Sequence, residues 1–352
     1  MRFFGSLNRT PDLKRLLVVL TSVLLCASTV HAADDQNPIT QIQMTFDRPL
    51  DSVAAPFLIA GVHGLYRAEF MNVASNVVNG SPDAIARVAS GVSDFALVDF
   101  NALIRYRDKA DAPPIKAVFV LLNTAPYAIV ARKSRGVGDL SDMGGKTLGV
   151  ADGDLSIRLW PALAKRNGVK LSTVRQDRIG AAVREPMLSA GQVDAVTGFS
   201  YLSAVNLRDR GIPASDLSVL RFADYGSTAY GSAIIVNPKF AAAKPQVVRG
   251  FLRAVTAGLQ FAIKSPAKAV DEVLPQLDNA ARDLELARLR AALHDNIVTV
   301  DVRRDGLGGI DAARFTASVS ELAEDFKFEK TPVANDIFDP SFLPDAKLRK
   351  VD

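Results

Sequence analysis

Short apolar runs alternate with segments of helical periodicity along almost the whole chain, and this alternation restricts the possible folds most. Residues 39–46 alternate apolar with polar side chains, whereas residues 95–98 and 115–122 are almost wholly apolar. A strand that is covered on both faces has such an apolar sequence, and strands that alternate with helices form a mostly parallel sheet. The sequence therefore predicts an α/β fold.

The alternation occurs in two successive sets, which predicts two α/β units. The first set ends near residue 122, and a second set of predicted strands and helices covers residues 127–222. One further strand is predicted at residues 229–236, and the remainder is helical. Pro245 begins an amphipathic helix whose apolar face repeats every 3.6 residues. That face consists of Val248, Phe251, Leu252, Val255, Leu259 and Ala262.

The N-terminus has the three parts of a secretory signal peptide. Four basic residues precede an apolar run at residues 16–27, and small side chains stand at Val30 and Ala32. The run is shorter than the ~20 residues that a membrane-spanning helix needs. We therefore predict that residues 1–32 are a signal peptide, cleaved after Ala32, which directs the chain to the periplasm. An uncleaved membrane anchor and a lipid on Cys26 are the alternatives.

Composition excludes several classes of function once residues 1–32 are removed. The remaining 320 residues are a length typical of two domains. The single cysteine, Cys26, is lost with the leader, so the mature chain has no disulfide, thiol nucleophile or cysteine metal ligand. The 38 basic and 37 acidic residues that remain are dispersed along the sequence, which predicts no nucleic-acid partner.

Five segments, taken in order, carry a family resemblance. They are FLIAGVHGLY at 57–66, NGSPDA at 79–84, VASGVSDF at 88–95, DLSDMGGKTLGV at 139–150 and GQVDAVTG at 191–198. Together they resemble the NMT1/THI5-like (SsuA/TauA/ThiY) periplasmic substrate-binding proteins of ABC importers, over roughly residues 41–264.

The resemblance implies the type II periplasmic-binding-protein fold, an α/β fold with two lobes joined by two hinge crossings. Lobe 1 would be residues 39–123 and 225–345, and lobe 2 would be residues 127–222, with the ligand in the cleft between them. The implied function is capture of a small molecule by inter-lobe closure. The implied partners are a membrane permease and its cytoplasmic ATPase. We expect a monomer without cofactor or metal.

The candidate binding residues follow from the position of the loops. In open α/β sheets, ligands lie beyond the carboxyl ends of the strands, where helix N-termini favour anions and carbonyl oxygens. Each polar residue in such a loop is either a ligand contact or an ordinary helix cap. The candidates are Asp47, Arg48, Asn79, Ser81, Asp99, Phe100, Asn101, Asp154, Ser156, Arg184, Glu185, Phe199, Asp224 and Tyr225.

The same candidates indicate a class of ligand. Phe100, Phe199 and Tyr225 offer apolar surface on which a planar ring could stack. Arg48 and Arg184 are the only cations in the set, and five acids accompany them. This balance predicts a small planar, heteroaromatic or sulfonate-like organic ligand with one anionic group, rather than a bare inorganic anion. Arg184 either pairs with the adjacent acid or binds the anionic group of the ligand.

Catalysis finds little support in the sequence. The mature chain has two histidines, His63 and His294, and neither lies near a serine or paired acid along the chain. No nucleophile elbow, P-loop or zinc-binding spacing occurs. The fungal enzymes of the family use a cysteine-rich motif that this chain lacks. The sequence thus predicts a protein that is not an enzyme. A THI5-like pyrimidine-forming enzyme and a sensor-coupled binding protein remain the alternatives.

Overall fold

The computed structural model describes residues 38–151, 153–278 and 280–351. The predicted signal peptide, residues 1–32, lies outside the described residues. The strands are β1 (Thr40–Phe46), β2 (Met71–Val77), β3 (Phe95–Asp99), β4 (Lys116–Val120), β5 (Tyr127–Arg132), β6 (Thr147–Ala151), β7 (Arg175–Ile179), β8 (Ala195–Phe199), β9 (Leu217–Arg221) and β10 (Ser232–Val236).

Helices follow most of the strands and fill the C-terminal third of the chain. They are α1 (Ala55–Val62), α2 (Leu65–Ala68), α3 (Ser81–Ser90), α4 (Phe100–Arg107), α5 (Ser156–Arg166), α6 (Arg184–Ala190), α7 (Ser200–Asp209), α8 (Pro238–Ala243), α9 (Pro245–Lys264), α10 (Pro266–Val273), α11 (Arg282–Ala292), α12 (Val300–Asp305), α13 (Ala312–Leu322), α14 (Ala334–Ile337) and α15 (Ala346–Arg349). Among the described helices, none combines the length and apolar character needed to cross a membrane.

The strands form two five-stranded sheets, and each sheet with its helices is one lobe. The sheet of lobe 1 has the order β2-β1-β3-β10-β4, and that of lobe 2 has the order β7-β6-β8-β5-β9. In each sheet one strand, β10 or β5, runs antiparallel to its neighbours. That strand is the first one that the chain enters after crossing from the other lobe. The predicted α/β fold with two lobes is confirmed.

The two crossing segments, which join β4 to β5 and β9 to β10, pair with each other. The Ala125 N–H donates to the carbonyl oxygen of Ala229 at 3.0 Å, and the Gly231 N–H donates to that of Leu122 at 2.9 Å. A Cβ atom at position 231 would lie 2.7 Å from Leu122 Cβ, so only glycine permits this approach. The crossings therefore form a short double connection between the lobes.

The core of lobe 1 depends on the long helix α9, which packs against α1. All six residues of its predicted apolar face are buried, which confirms the predicted helix. Phe251 stacks on Phe95 of β3 with ring centroids 4.1 Å apart. Gly258 allows the close approach to α1, because a Cβ there would lie 2.1 Å from the carbonyl oxygen of Pro56.

The C-terminal helices contact both lobes. Helix α11 packs against α7 of lobe 2, and Arg288 of α11 donates to the Asn206 side chain. On its other side, Glu285 of α11 accepts a hydrogen bond from the backbone N–H of Ser52 at 2.8 Å. Helix α13 packs against α5 of lobe 2. These helices therefore bridge the lobes on either side of the crossings.

A candidate binding cleft between the lobes

A cavity of about 830 Å³ lies between the lobes, at the carboxyl ends of the parallel strands. Its volume falls within the range of about 300–1,000 Å³ that is usual for small-molecule sites. Loops after β1, β2 and β3 form one wall, and residues of β6, β7 and β8 and of the segments that follow them form the other. Eight of the predicted site residues line it: Asp47, Arg48, Asn79, Ser81, Asp99, Asp154, Arg184 and Phe199.

The wall of lobe 1 is organised by the buried carboxylate of Asp47, directly after β1. Asp47 accepts two hydrogen bonds from Arg48, at 2.8 and 3.2 Å, and one from the hydroxyl of Ser81 at 2.5 Å. The same hydroxyl accepts the backbone N–H of Asp99 at 3.0 Å. The loops after β1 and β3 and the start of α3 are thus held together, and the Asp47 carboxylate is already fully engaged.

Asp99 caps helix α4 and points toward the crossings. Its Oδ1 atom accepts the N–H groups of Asn101 and Ala102, and its Oδ2 atom accepts the hydroxyl of Tyr127, the first residue of β5. Burial raises the pKa of Asp99 to about 6, and the hydrogen bond from Tyr127 and the charge of Arg48 oppose that rise. Asp99 therefore titrates close to neutral pH within the cavity wall.

The wall of lobe 2 is organised by Asp154, which precedes helix α5. Asp154 accepts the N–H and the hydroxyl of Ser156 at 2.9 and 2.6 Å, and the Thr197 hydroxyl at 2.6 Å. Arg184 Nη1 donates to Asp154 at 3.0 Å and to the carbonyl oxygen of Thr197 at 2.8 Å. Arg184 thus pairs with Asp154, and no ion pair with the adjacent Glu185 is present.

One side-chain contact joins the two walls across the cleft. The guanidinium carbon of Arg48, in lobe 1, lies 4.6 Å from the centroid of the Phe199 ring, in lobe 2. An arginine placed in this way makes a cation–π contact. The Phe199 ring therefore faces the cleft and is covered by the Arg48 side chain of the other lobe.

Three donors in the cavity wall have no hydrogen-bond partner. They are the Nε atoms of Arg105 and Arg184 and the indole Nε1 atom of Trp160, and all three are buried. Buried polar atoms in native proteins are almost always paired. Arginine and tryptophan side chains can only donate, so the missing partner must be an acceptor. These three atoms are closed to solvent even though their side chains border the cavity, so an acceptor reaches them only if the side chains move.

Three arginines and one aspartate of the wall lie outside the predicted set: Arg105, Arg158, Arg178 and Asp325. With them the described wall contains five arginines and four aspartates, so the predicted excess of acids does not hold. Three of the aspartates are paired with arginines. Trp160, interpreted from the sequence as a core residue, is fully buried and also borders the cavity. Arg105, Arg158 and Trp160 come from helices and Asp325 from a late segment, where the rule of strand ends does not apply, whereas Arg178 belongs to β7.

The other six predicted residues do not line the cavity. Phe100 lies in the core of lobe 1 against Tyr230, because the first side chain of α4 turns back under the sheet. Asn101 donates to the carbonyl oxygen of Tyr230 at 2.8 Å, and Ser156 is buried behind Asp154. Glu185 is buried outside the lining. Asp224 pairs with Arg221, and the Tyr225 hydroxyl donates to Asp139.

Within the described residues, no group of three or more histidine, cysteine, aspartate or glutamate side chains is placed to hold a metal ion. A model of the NMT1/THI5-like family matches residues 51–269, which is more than half of the chain and includes most of the residues that line the cavity. The chain belongs to the NMT1/THI5-like family. The resemblance inferred from the five sequence segments is thus confirmed.

This NMT1/THI5-like protein is similar to proteins of two different kinds. It is 24% identical to the 4-amino-5-hydroxymethyl-2-methylpyrimidine phosphate synthase of Legionella pneumophila, over 82% of this chain and 88% of the relative. It is 28% identical to the riboflavin-binding protein RibY of Chloroflexus aurantiacus, over 76% of each. The periplasmic aliphatic sulphonate binding protein SsuA of Escherichia coli has the same fold, with a TM-score of 0.68, 14% identity, and coverage of 87% and 94%.

The relatives correct one sequence-based prediction. The lack of a catalytic motif led us to expect that the chain is not an enzyme. This expectation is wrong, because relatives that align with most of the chain are named as synthases. The motifs that we searched for belong to other families, and their absence says nothing about chemistry in this fold.

Proposed function

We propose that this protein is a periplasmic substrate-binding subunit of an ABC importer. In this role it captures a small heteroaromatic ligand with an anionic or acceptor-rich group by closing its two lobes. The predicted signal peptide and the two-lobed fold support the role. The observation that carries the ligand class is the wall of one inter-lobe cavity, in which five arginines accompany the ring of Phe199.

The shape and chemistry of the cavity favour an organic ligand over a bare anion. A cavity of about 830 Å³ leaves most of its volume unused around nitrate or sulfate. Asp47, Asp99 and Asp154 each already accept three or four hydrogen bonds from neighbours, so they offer few free acceptors to a cationic ligand. Phe199 supplies ring surface on the lobe 2 side. The similarity to a protein named for riboflavin binding is consistent with a planar heterocycle.

Thermal unfolding in the presence of candidate ligands tests the proposal. Riboflavin, 4-amino-5-hydroxymethyl-2-methylpyrimidine, an alkanesulfonate and nitrate represent the ligand classes. A true ligand at ~100 times its Kd adds about 2.7 kcal/mol to the free energy of unfolding. We expect a heterocycle to give this stabilisation and small-angle scattering to show compaction with the same compound. Stabilisation by nitrate alone, or by no compound of these classes, contradicts the proposal.

A second candidate function is synthesis of a pyrimidine phosphate, because the synthase of Legionella pneumophila aligns with 82% of this chain. The cavity wall offers Asp99 as a general base, since burial raises its pKa to about 6, nearer to neutral pH than that of an exposed aspartate. Incubation of the protein with pyrimidine precursors, followed by mass spectrometry, separates the two functions. Turnover that is lost in Asp99→Asn supports synthesis, and binding without turnover supports capture.

A further inference from the structure

Arg105 of lobe 1 lies at the cavity without a partner for its charge. It belongs to the last turn of α4, it is partly buried, and its Nε atom has no acceptor. Its guanidinium carbon lies 4.9 Å from the centroid of the Phe326 ring. Among the described residues, no carboxylate forms an ion pair with it. The buried Nε–H group has lost water without gaining an acceptor, which is unfavourable, while the rest of the guanidinium stays partly exposed.

Arg158 of lobe 2 lines the same cavity as Arg105 of lobe 1. It belongs to the first turn of α5, and its Nη1 atom lies 3.4 Å from Asp325 Oδ2. Asp325 is adjacent to Phe326, so two neighbouring residues contact the two guanidinium groups. Burial and then the positive charge of Arg158 lower the pKa of Arg105. Arg158 is thus paired with Asp325, whereas Arg105 has no ion pair among the described residues and is balanced only by the more distant charges of Asp325 and Asp99.

We propose that Arg105 and Arg158 form a subsite for a tetrahedral oxyanion, a phosphate or sulfonate group carried by the ligand. Guanidinium groups bind such oxyanions through parallel N–H donors, and two of them can hold one group from opposite sides. The inference rests on the proposed binding function and adds a second anionic position to it. Arg184, deeper in lobe 2, would then meet a different part of the same ligand.

Because one arginine comes from each lobe, the subsite also affects closure of the cleft. Without an anion, closure of the cleft brings like charges together, and this opposes the closed state. An oxyanion bound between the two guanidinium groups attracts both of them, so the electrostatic energy then favours the closed state. A ligand with the group should therefore stabilise the closed cleft more than the same heterocycle without it. Asp325 competes with the anion for Arg158, and Asp99 is a more distant acid whose charge reaches Arg105.

Inorganic phosphate is the probe that tests the subsite without a known ligand. Calorimetric titration at constant ionic strength compares the wild type with Arg105→Gln and Arg158→Gln. We expect each substitution to weaken phosphate binding by about tenfold, the usual effect of losing a hydrogen-bonded charge. Asp325→Asn removes the competing carboxylate and should strengthen binding. Arg67→Gln, an exposed arginine before β2 at the opposite end of the sheet, is the matched control and should bind as the wild type does.

A second titration links the subsite to the ligand. The affinity for riboflavin is compared with that for riboflavin 5′-phosphate, in the wild type and in Arg105→Gln. The same comparison is made between 4-amino-5-hydroxymethyl-2-methylpyrimidine, the pyrimidine alcohol, and its phosphate. A preference for the phosphorylated form that disappears in Arg105→Gln supports the subsite. Equal phosphate affinity in the wild type, Arg105→Gln and Arg158→Gln overturns it. If phosphate binding depends on both arginines but no heterocycle binds, the proposed ligand class fails and the subsite stands.

Discussion

Arg184→Ala removes the guanidinium that joins Asp154 to β8, and its effect on stability can be worked out from the contacts. Two hydrogen bonds are lost, to Asp154 at 3.0 Å and to the Thr197 carbonyl oxygen at 2.8 Å. Removal of one partner from a buried ion pair costs about 3–5 kcal/mol. Asp154 keeps three donors, from Ser156 and the Thr197 hydroxyl. We therefore expect the free energy of unfolding to fall by only about 2–3 kcal/mol.

The same substitution should reduce ligand affinity, because it removes one of the arginines that line the cavity. Loss of one partner of a buried charged contact costs about 2–5 kcal/mol of binding free energy. A loss of about 2.7 kcal/mol is a 100-fold change in Kd. A ligand concentration that stabilises the wild type by about 2.7 kcal/mol would then add only about 0.4 kcal/mol to the variant.

Calorimetric unfolding with and without ligand measures both effects in one assay. Thr197→Val is the control, because it removes a hydrogen bond to Asp154 but leaves Arg184 in place. We expect this control to lose about 1 kcal/mol of stability and to keep the full stabilisation by ligand. An Arg184→Ala variant that is less stable but keeps the full stabilisation by ligand would refute a direct contact.

Two further predictions concern packing and charge. Gly258→Ala places a Cβ 2.1 Å from the carbonyl oxygen of Pro56 and should lower the free energy of unfolding by about 1–3 kcal/mol. Gly61→Ala, in helix α1 with no heavy atom within 4 Å of the new Cβ, should raise it by about 0.5–1 kcal/mol. Urea unfolding measures the free energy of unfolding of both variants. Equal changes in the two variants would contradict the close packing of α9 on α1. Because burial raises the native pKa of Asp99 from 3.8 to about 6, wild-type stability falls as pH rises between these values. Asp99→Asn lacks this loss and should gain about 2–3 kcal/mol relative to the wild type between pH 4 and pH 7. A difference in the free energy of unfolding between Asp99→Asn and the wild type that stays constant with pH would show that the pKa of Asp99 is not raised.

The fold was predictable because local sequence and packing agree. The apolar runs that predicted β3 and β4 are buried strands, and the periodicity after Pro245 is the buried face of α9. The sequence cannot show which strand is antiparallel, because an antiparallel strand at the centre of a sheet is as apolar as its parallel neighbours. The order of the strands depends on the two crossings, and the contact of Gly231 with Leu122 that joins them is long-range in sequence.

The candidate site was predictable where it follows strand ends. Asp47, Asp154 and Phe199 lie at such ends and line the cavity. Arg105 and Trp160 were not among the predicted residues, because each lies at least one turn into a helix rather than at a strand end. The pairing of Arg184 with Asp154 was also missed, because these residues are distant in sequence and only the adjacent Glu185 suggested itself.

Calorimetric titration of the purified protein with riboflavin, the pyrimidine alcohol, their phosphates and nitrate tests the central claim most directly. We predict that one heterocycle binds with a stoichiometry of one and that Arg184→Ala weakens this binding by about 100-fold or more. Tight binding of nitrate with no binding of any heterocycle would contradict the account, and so would a heterocycle whose affinity is the same in Arg184→Ala.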